Sequence, residues 1–486
     1  MTPAGFDIGP LLPAAALVVA GVAVLLAQAF AGRARRIVPT GLALGGIVAA
    51  GIISLVVPFG EPCGTCAIAS QNAVAFDALA RFLTLLILAT GALTILSTHS
   101  YAARSGTAGG EHHALLLFAL TGMLGMVSAV DLIALFIALE VMSVALYALT
   151  GLRRGVAASS EAALKYFVTG AFSSAFLLYG IALLYGATGT TSLAHVEAVL
   201  ASPLTQSPLL LAAVALLLVG FGFKVASVPF HMWAPDVYEG APTTVTGFMA
   251  AAVKAAAFGA ILRLFPGALA ALGEHWRPAV AVLAILTMVW GNLGALAQTR
   301  LKRLLAYSSI AHAGYLLVGL VGSPQDAVAS IGFYLAGYAA VTVGAFGAIS
   351  ALDRDVQGPV TLEHITGLAA RRPGLAALLA IYMISLTGIP LTAGFVGKLM
   401  LFRAAVLAHW TVLAVVGVLA SAVSAYYYLR VVVVMYMREE SSAPEGVTLD
   451  IPSWATLVLS AGAVLWLGIF PAHVLAWARA ASAVLK

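Results

Sequence analysis

Residues 220–243, GFGFKVASVPFHMWAPDVYEGAPT, follow an uncharged apolar run that begins near Pro208. Lys224 therefore falls deep inside a stretch that otherwise suits lipid. A charge at bilayer depth is expensive and marks a functional site by default. Five residues on, Pro229 removes a backbone donor and breaks a helix, and such breaks persist in membranes only beside protein or water. Drawn as one straight helix, residues 208–240 would approach about 50 Å, against a hydrocarbon core of about 30 Å. The reading is a broken membrane helix that lines a polar interior.

The same signature recurs once. Residues 374–405 are also overlong, with Pro390 inside LTGIPLTAGF and Lys398 two turns beyond it. A single interior proline is compatible with a harmless kink. Two overlong, interrupted, lysine-bearing segments, in the seventh and twelfth positions, form a pattern instead. An odd offset of five spans reverses direction through the bilayer, as in inverted-repeat transporters.

Working outward, 62% of the 486 residues are hydrophobic and 9% are charged, with a mean hydropathy of +1.04. Apolar runs of bilayer length repeat along the whole chain. That excludes a soluble globule and a singly anchored enzyme, and the two-residue alternation of a membrane barrel is absent. The fold class expected is all-α: a polytopic membrane bundle of about fourteen transmembrane helices, beginning near residues 10, 37, 76, 113, 132, 162, 208, 243, 279, 304, 327, 374, 407 and 452. It divides into three amino-terminal helices (1–112), a first inverted repeat of five helices (113–265), a second (277–438) and a last helix (452–486). Each repeat contains one broken helix. The first span is too long for a signal peptide's apolar core and is read as retained.

The formal net charge of +5 comes without a basic cluster larger than Arg33, Arg35 and Arg36, so it reads as a topology signal and not as nucleic-acid binding. With the amino terminus outside, most arginines, together with Lys302, fall on the cytoplasmic side. Arg263, Arg277, Arg403, Arg479 and Lys486 fall outside. An even number of spans returns the carboxyl terminus to the outside as well. Cys63 and Cys66 form a CxxC in a polar outer loop without the further ligands a zinc site requires. A local disulfide and two free thiols both remain open.

The chain has six lysines, and three of them, Lys224, Lys254 and Lys398, lie in apolar spans, as does Glu140 in ALFIALEVMSVALYALTG. Glu140 and Lys224 are candidate partners. Static pairing would account for one lysine and one glutamate, but three lysines cannot be neutralised by one carboxylate. The others must lose their charge or sit in hydrated cavities, which poises them for proton exchange. Burial disfavours a charged ammonium and a neighbouring carboxylate favours it, so relative movement of the two changes proton affinity. Lys254 can receive the proton and Lys398 pass it on. His312, mid-span in AYSSIAHAGYLL, is a candidate bridge between the repeats. His231, after Pro229, is placed in the second half of the broken helix. Lys165 pairs with Glu161 at i,i+4 near a helix mouth, a salt bridge first and an uptake group second. Asp77 with Arg81, and Asp131 before the fifth span, read as structural. No nucleotide loop, dinucleotide fingerprint or iron–sulfur cysteine set occurs.

At these residues the chain resembles the antiporter-like subunits of proton-pumping NADH:quinone oxidoreductase, respiratory complex I, and the related multisubunit cation/proton antiporters. The segments ALFIALEVMSVALYALTG, EAALKYFVTGAFSSAFLLYG, GFGFKVASVPFHMWAPDVYEGAPT, LKRLLAYSSIAHAGYLLVG and SLTGIPLTAGFVGK carry the likeness, which covers nearly the whole chain. A chain ending soon after a fourteenth span, with Lys254 in the eighth, matches the smallest of the three antiporter-like members. The resemblance implies that Glu140 and Lys224 form the charge pair of a first half-channel. Lys254 would be the central connection and Lys398 the terminal group of the second half-channel, while His312 does not transfer cleanly. It implies that no cofactor is held here, flavin (FMN) and iron–sulfur clusters residing in partner subunits. The partners would be the neighbouring membrane subunits and lipid, and alanine and glycine richness points to a bacterial inner membrane. A secondary cation/proton antiporter and a non-transporting scaffold are the competing readings.

Overall fold

The structure, a computed structural model, describes residues 8–31, 37–58, 73–105, 110–201, 207–353, 358–438 and 449–482. Cys63 and Cys66 lie outside the described residues. Where described, the chain is helical, because lipid leaves no water to satisfy an open backbone. The helices used below are α1 (Leu12–Ala31), α2 (Ile37–Val56), α3 (Ala78–Ser105), α4 (Gly110–Ser128), α5 (Leu132–Thr150), α6 (Ala157–Thr188), α7 (Pro208–Lys224), α8 (Trp233–Gly240), α9 (Thr243–Ala268), α10 (Gly273–Leu296), α11 (Leu301–Leu320), α12 (Pro324–Leu352), α13 (Pro373–Thr387), α14 (Ala393–Leu407), α15 (Thr411–Met437), α16 (Ile451–Ile469) and α17 (Ala472–Ala481). Among the described residues, eleven helices are long and apolar enough to cross a membrane.

Helix starts fall within a few residues of those expected. The larger differences, α6 from Ala157 and α10 from Gly273, arise where a helix continues past its apolar run into polar sequence that hydropathy does not register. Side chains close the ends where the backbone lacks partners. Asp131 accepts from the amides of Ile133 and Ala134 to start α5, and Ser207, Ser323 and Asp450 do the same for α7, α12 and α16.

Both overlong segments are broken. The first stops at Lys224 and resumes at Trp233; the second stops at Thr387 and resumes at Ala393. Each break holds a non-glycine residue in the left-handed region, Ala226 at φ 59° and Leu391 at φ 70°. Such a conformation costs on the order of 1 kcal/mol and survives only where its surroundings fix it. Trp233 fixes the first break by donating its indole N–H to the Phe223 carbonyl at 3.1 Å. In the second, Gly388 (φ 89°) ends α13, and a Cβ on Gly394 would overlap the Ser385 carbonyl.

The bundle has a centre and a rim. The most hydrophobic stretch of α9 is 100% buried and that of α12 is 89% buried, whereas α1 is 28% and α6 33% buried. Apolar side chains such as Val19, Phe30, Phe172 and Val412 face outward, as lipid contact requires. The helix bearing Lys254 is thus enclosed on every side by protein. Within it, the turn Met249–Val253 widens to π-helical geometry directly before Lys254, and a second such turn, Arg263–Ala268, follows. π-Turns of this kind concentrate at functional sites.

A buried ion pair ties the amino-terminal helices to this centre. Arg263 Nη2 meets Asp77 Oδ1 at 2.8 Å, and Arg263 Nε donates to the Val127 carbonyl at 2.8 Å. The Asp77 carboxylate also caps α3 through the Ala80 amide. Sequence spacing had suggested Arg81 as its partner; the Arg81 guanidinium instead reaches the Val57 carbonyl. Arg263 is nearly 190 residues away in the chain, a distance that local pairing rules cannot span.

Candidate functional site

The first group sits where α5, α6 and α7 meet. Glu140 is half-buried on α5 and accepts from Ser174 Oγ of α6 at 2.5 Å. Lys224, the last residue of α7, is 4% exposed. Its ammonium does not close on Glu140. It donates to Ser143 Oγ at 2.8 Å, and Ser143 in turn donates to the Leu139 carbonyl at 2.5 Å. Ser143 follows Glu140 by three residues, about one turn along α5, so Lys224 is anchored one turn from the carboxylate, and each of the two charged groups is bonded to a hydroxyl of its own. Of the three donors an ammonium carries, Lys224 uses one.

Lys254 is 2% exposed. It donates to both the carbonyl and the hydroxyl of Ser309 on α11, the latter at 2.6 Å, and lies 5.2 Å from the centre of the Tyr338 ring. Tyr338 OH donates to the same Ser309 Oγ at 2.9 Å.

His312 occupies the turn after Ser309, inside a cage of phenols. Nδ1 lies 2.6 Å from Tyr334 OH and Nε2 lies 3.0 Å from Tyr428 OH, while Tyr428 OH meets Ser308 Oγ. The Tyr338 ring lies 5.0 Å from the imidazole and the Tyr315 ring 5.5 Å from it, edge-on.

Lys398 completes the series. Its ammonium lies 4.9 Å from the centre of the Tyr315 ring. It donates to the carbonyls of Leu386 and Thr387, both at 2.9 Å, and to Ser421 Oγ at 2.8 Å. Those carbonyls close the carboxyl-terminal end of α13, where the helix dipole is negative, so all three donors are used. Among the described residues no carboxylate lies within 4 Å of Lys224, Lys254 or Lys398. Hydroxyls, carbonyls and aromatic faces take the place of counter-ions.

The remaining candidates lie apart from this array. His231 stands in the turn between α7 and α8 and not within α8, because the helix restarts only at Trp233; its ring packs edge-on to Trp290 at 6.1 Å. Lys165 makes the expected pair with Glu161 at 2.7 Å. It also meets Asp236 Oδ2 at 2.9 Å, and Asp236 Oδ1 takes Arg303 at 2.9 Å. These groups and Glu239 line a surface cleft, so Lys165 belongs to a helix mouth.

The sequence does not single out the polar groups around the lysines and His312: Ser143, Ser309, Ser421, Tyr334, Tyr338 and Tyr428. Serine and tyrosine at membrane depth are common, and no single one stands out. The usable signal is helical register: Tyr334 and Tyr338 share one face of α12 at i,i+4. Lys302 was counted with the cytoplasmic charges, yet it is 4% exposed.

Comparison with known proteins agrees with this architecture. Residues 129–424 match the model of the NADH:quinone oxidoreductase/Mrp antiporter transmembrane family. The NADH-quinone oxidoreductase subunit N of Myxococcus xanthus is 44% identical over 98% of this chain and 98% of its own length. That of Trichlorobacter lovleyi is 41% identical over 98% and 97%. Among solved structures, a chain of respiratory complex I from Thermus thermophilus matches with a TM-score of 0.80 and 38% identity, over 96% of this chain and 98% of that one.

Proposed function

Because the chain belongs to the NADH:quinone oxidoreductase/Mrp antiporter transmembrane family, we propose that it is the antiporter-like subunit N of a bacterial NADH:quinone oxidoreductase. It contributes proton translocation to that enzyme and none of the redox chemistry. The observation that carries this reading is the set of three buried ammonium groups, each bonded to hydroxyls or carbonyls and, among the described residues, none within 4 Å of a carboxylate. An inert bundle gains nothing from three uncompensated buried lysines, whereas a proton path needs groups that can exist with and without charge.

In this mechanism Glu140 and Lys224 load the proton, and Ser143 and Ser174 hold the two apart. Lys254 receives it through the central helix and shares Ser309 with Tyr338. His312, held by Tyr334 and Tyr428, bridges towards Lys398, which releases the proton when its cage at the end of α13 opens. Quinone reduction elsewhere in the complex supplies the drive, with FMN and iron–sulfur clusters in partner subunits. The breaks at 225–232 and 388–392 belong to two inverted five-helix repeats within fourteen spans. Both termini face the periplasm, and the neighbours are other membrane subunits, including further antiporter-like chains.

Lys224→Ala tests the reading. In assembled complex it is expected to lower NADH-driven proton transport and quinone reductase activity together; normal pumping removes Lys224 from the path. Mild-detergent purification is expected to bring NADH dehydrogenase activity with the chain. A secondary cation/proton antiporter would instead exchange sodium or potassium for protons in liposomes without NADH.

A further inference from the structure

Lys302 is the second residue of α11, at the arginine-rich end of the bundle, a position that suits a solvated topology charge. It is buried instead, 4% exposed, and its ammonium donates to the Ala241 carbonyl at 2.7 Å, at the junction of α8 and α9. The charged groups acting on it are Asp353, Glu239 and Arg153. Asp353 Oδ2 accepts from Thr243 Oγ1 at 2.7 Å, and Tyr101 OH accepts from the Thr243 amide at 3.3 Å.

Glu239 faces two ways. It lines the surface cleft with Glu161, Lys165, Asp236 and Arg303, a space of about 130 Å³. One of its carboxylate oxygens, Oε2, is buried and has no hydrogen-bond partner among the described residues. A carboxylate oxygen out of reach of water and unpaired costs free energy unless a proton or a proton carrier visits it.

Helical register supplies the inner end. Ala306 and Ser309 follow Lys302 at i+4 and i+7, which places all three on one face of α11. Ser309 is the residue that holds Lys254. Two turns, about 10 Å at 1.5 Å per residue, separate Lys302 from Ser309, with Leu305 and the small Ala306 side chain buried between them.

We infer that Glu239 and Lys302 form a proton-loading site that feeds Lys254 directly from the surface cleft, separate from the Glu140–Lys224 pair. The Lys302 ammonium yields its proton towards Lys254 along this face of α11, and the amine left behind is reprotonated by a proton taken up on the Glu239 carboxylate, which is thereby regenerated. This rests on the translocation reading above. The site gives the central lysine its own aqueous supply on the arginine-rich side.

The test uses the complete complex in inverted membrane vesicles, with assembly verified by its native-gel band and by NADH dehydrogenase activity. Lys302→Arg keeps the charge and the bond to Ala241 but holds its proton at all working pH values. It is expected to lower NADH-driven proton transport roughly tenfold, as Lys302→Met does. Glu239→Gln should lower transport too, with the deficit shrinking as the pH on the uptake side falls and Glu239→Asp restoring the rate. Wild-type transport in Lys302→Arg overturns the inference, as does a Glu239→Gln deficit that is the same at every pH, since both describe a purely structural contact. Lys254→Met is the control: if it pumps normally, the translocation reading itself fails, whereas a dead Lys254→Met beside a normal Lys302→Arg removes only the loading site.

Discussion

The Lys224 ammonium is hydrogen-bonded to Ser143 Oγ at 2.8 Å and not to Glu140, the carboxylate one turn away on the same helix. Glu140 is occupied by Ser174. Ser143→Ala removes the hydrogen bond that Lys224 makes and lets the ammonium close on Glu140. The expected outcome is slower NADH-driven proton transport with unchanged assembly, restored by Ser143→Thr, which returns the hydroxyl. Dye-quenching traces in inverted vesicles measure it.

Lys398 differs because its three donors are filled. Ser421→Ala deletes one acceptor of three, a loss of about 1 kcal/mol, and should slow transport only several-fold. Lys398→Met removes the proton-carrying group itself and should abolish transport by this subunit. Equal effects of the two variants would count against a carrying role for Lys398.

His312 is held at both ring nitrogens by phenols. Tyr334→Phe combined with Tyr428→Phe keeps the ring volumes and strips the imidazole of its partners. Proton transport should fall roughly tenfold or more, with each single variant in between. Full activity in the double variant would show that the imidazole works without them.

Arg263 is buried, and Asp77 is the carboxylate that pairs with it. Asp77→Ala leaves a guanidinium in the interior without its counter-charge, which costs about 3–5 kcal/mol. The melting temperature of the purified complex should drop and the yield of assembled complex fall. Asp77→Ala together with Arg263→Met should recover part of the loss.

Gly394 has no room for a methyl group against the Ser385 carbonyl. Gly394→Ala should force the second break open and displace Lys398 from the α13 carbonyls. Transport would then fall while the rest of the bundle, read by circular dichroism, keeps its helicity.

Most of the architecture was legible because lipid enforces it: apolar runs of bilayer length, interrupted by Pro229 and Pro390, place the helices and both breaks. The charged members of the candidate site stand out in the sequence for the same reason, since Glu140, Lys224, Lys254 and Lys398 lie against an apolar ground. The polar groups around them do not. Ser143, Ser309 and Tyr428 acquire meaning only from contacts across helices, Ser309 with Lys254 over 55 residues and Tyr428 with His312 over 116. The pairing of Asp77 was misread towards Arg81 because an i,i+4 rule sees only its own helix. The burial of Lys302 was not legible either, because a place at a span end says nothing of the contact that Ala241 makes with it across helices.

The helix that carries Lys254 has no lipid face. A post wedged among neighbours at close-packed density meets protein on every side when it slides or tilts, unlike the lipid-facing helices α1 and α6. Under the proposed translocation, work arriving from another part of the assembly would fall on side chains and water around that column, and a drug or mutation that stiffened them would stall the machine while its skeleton looked untouched.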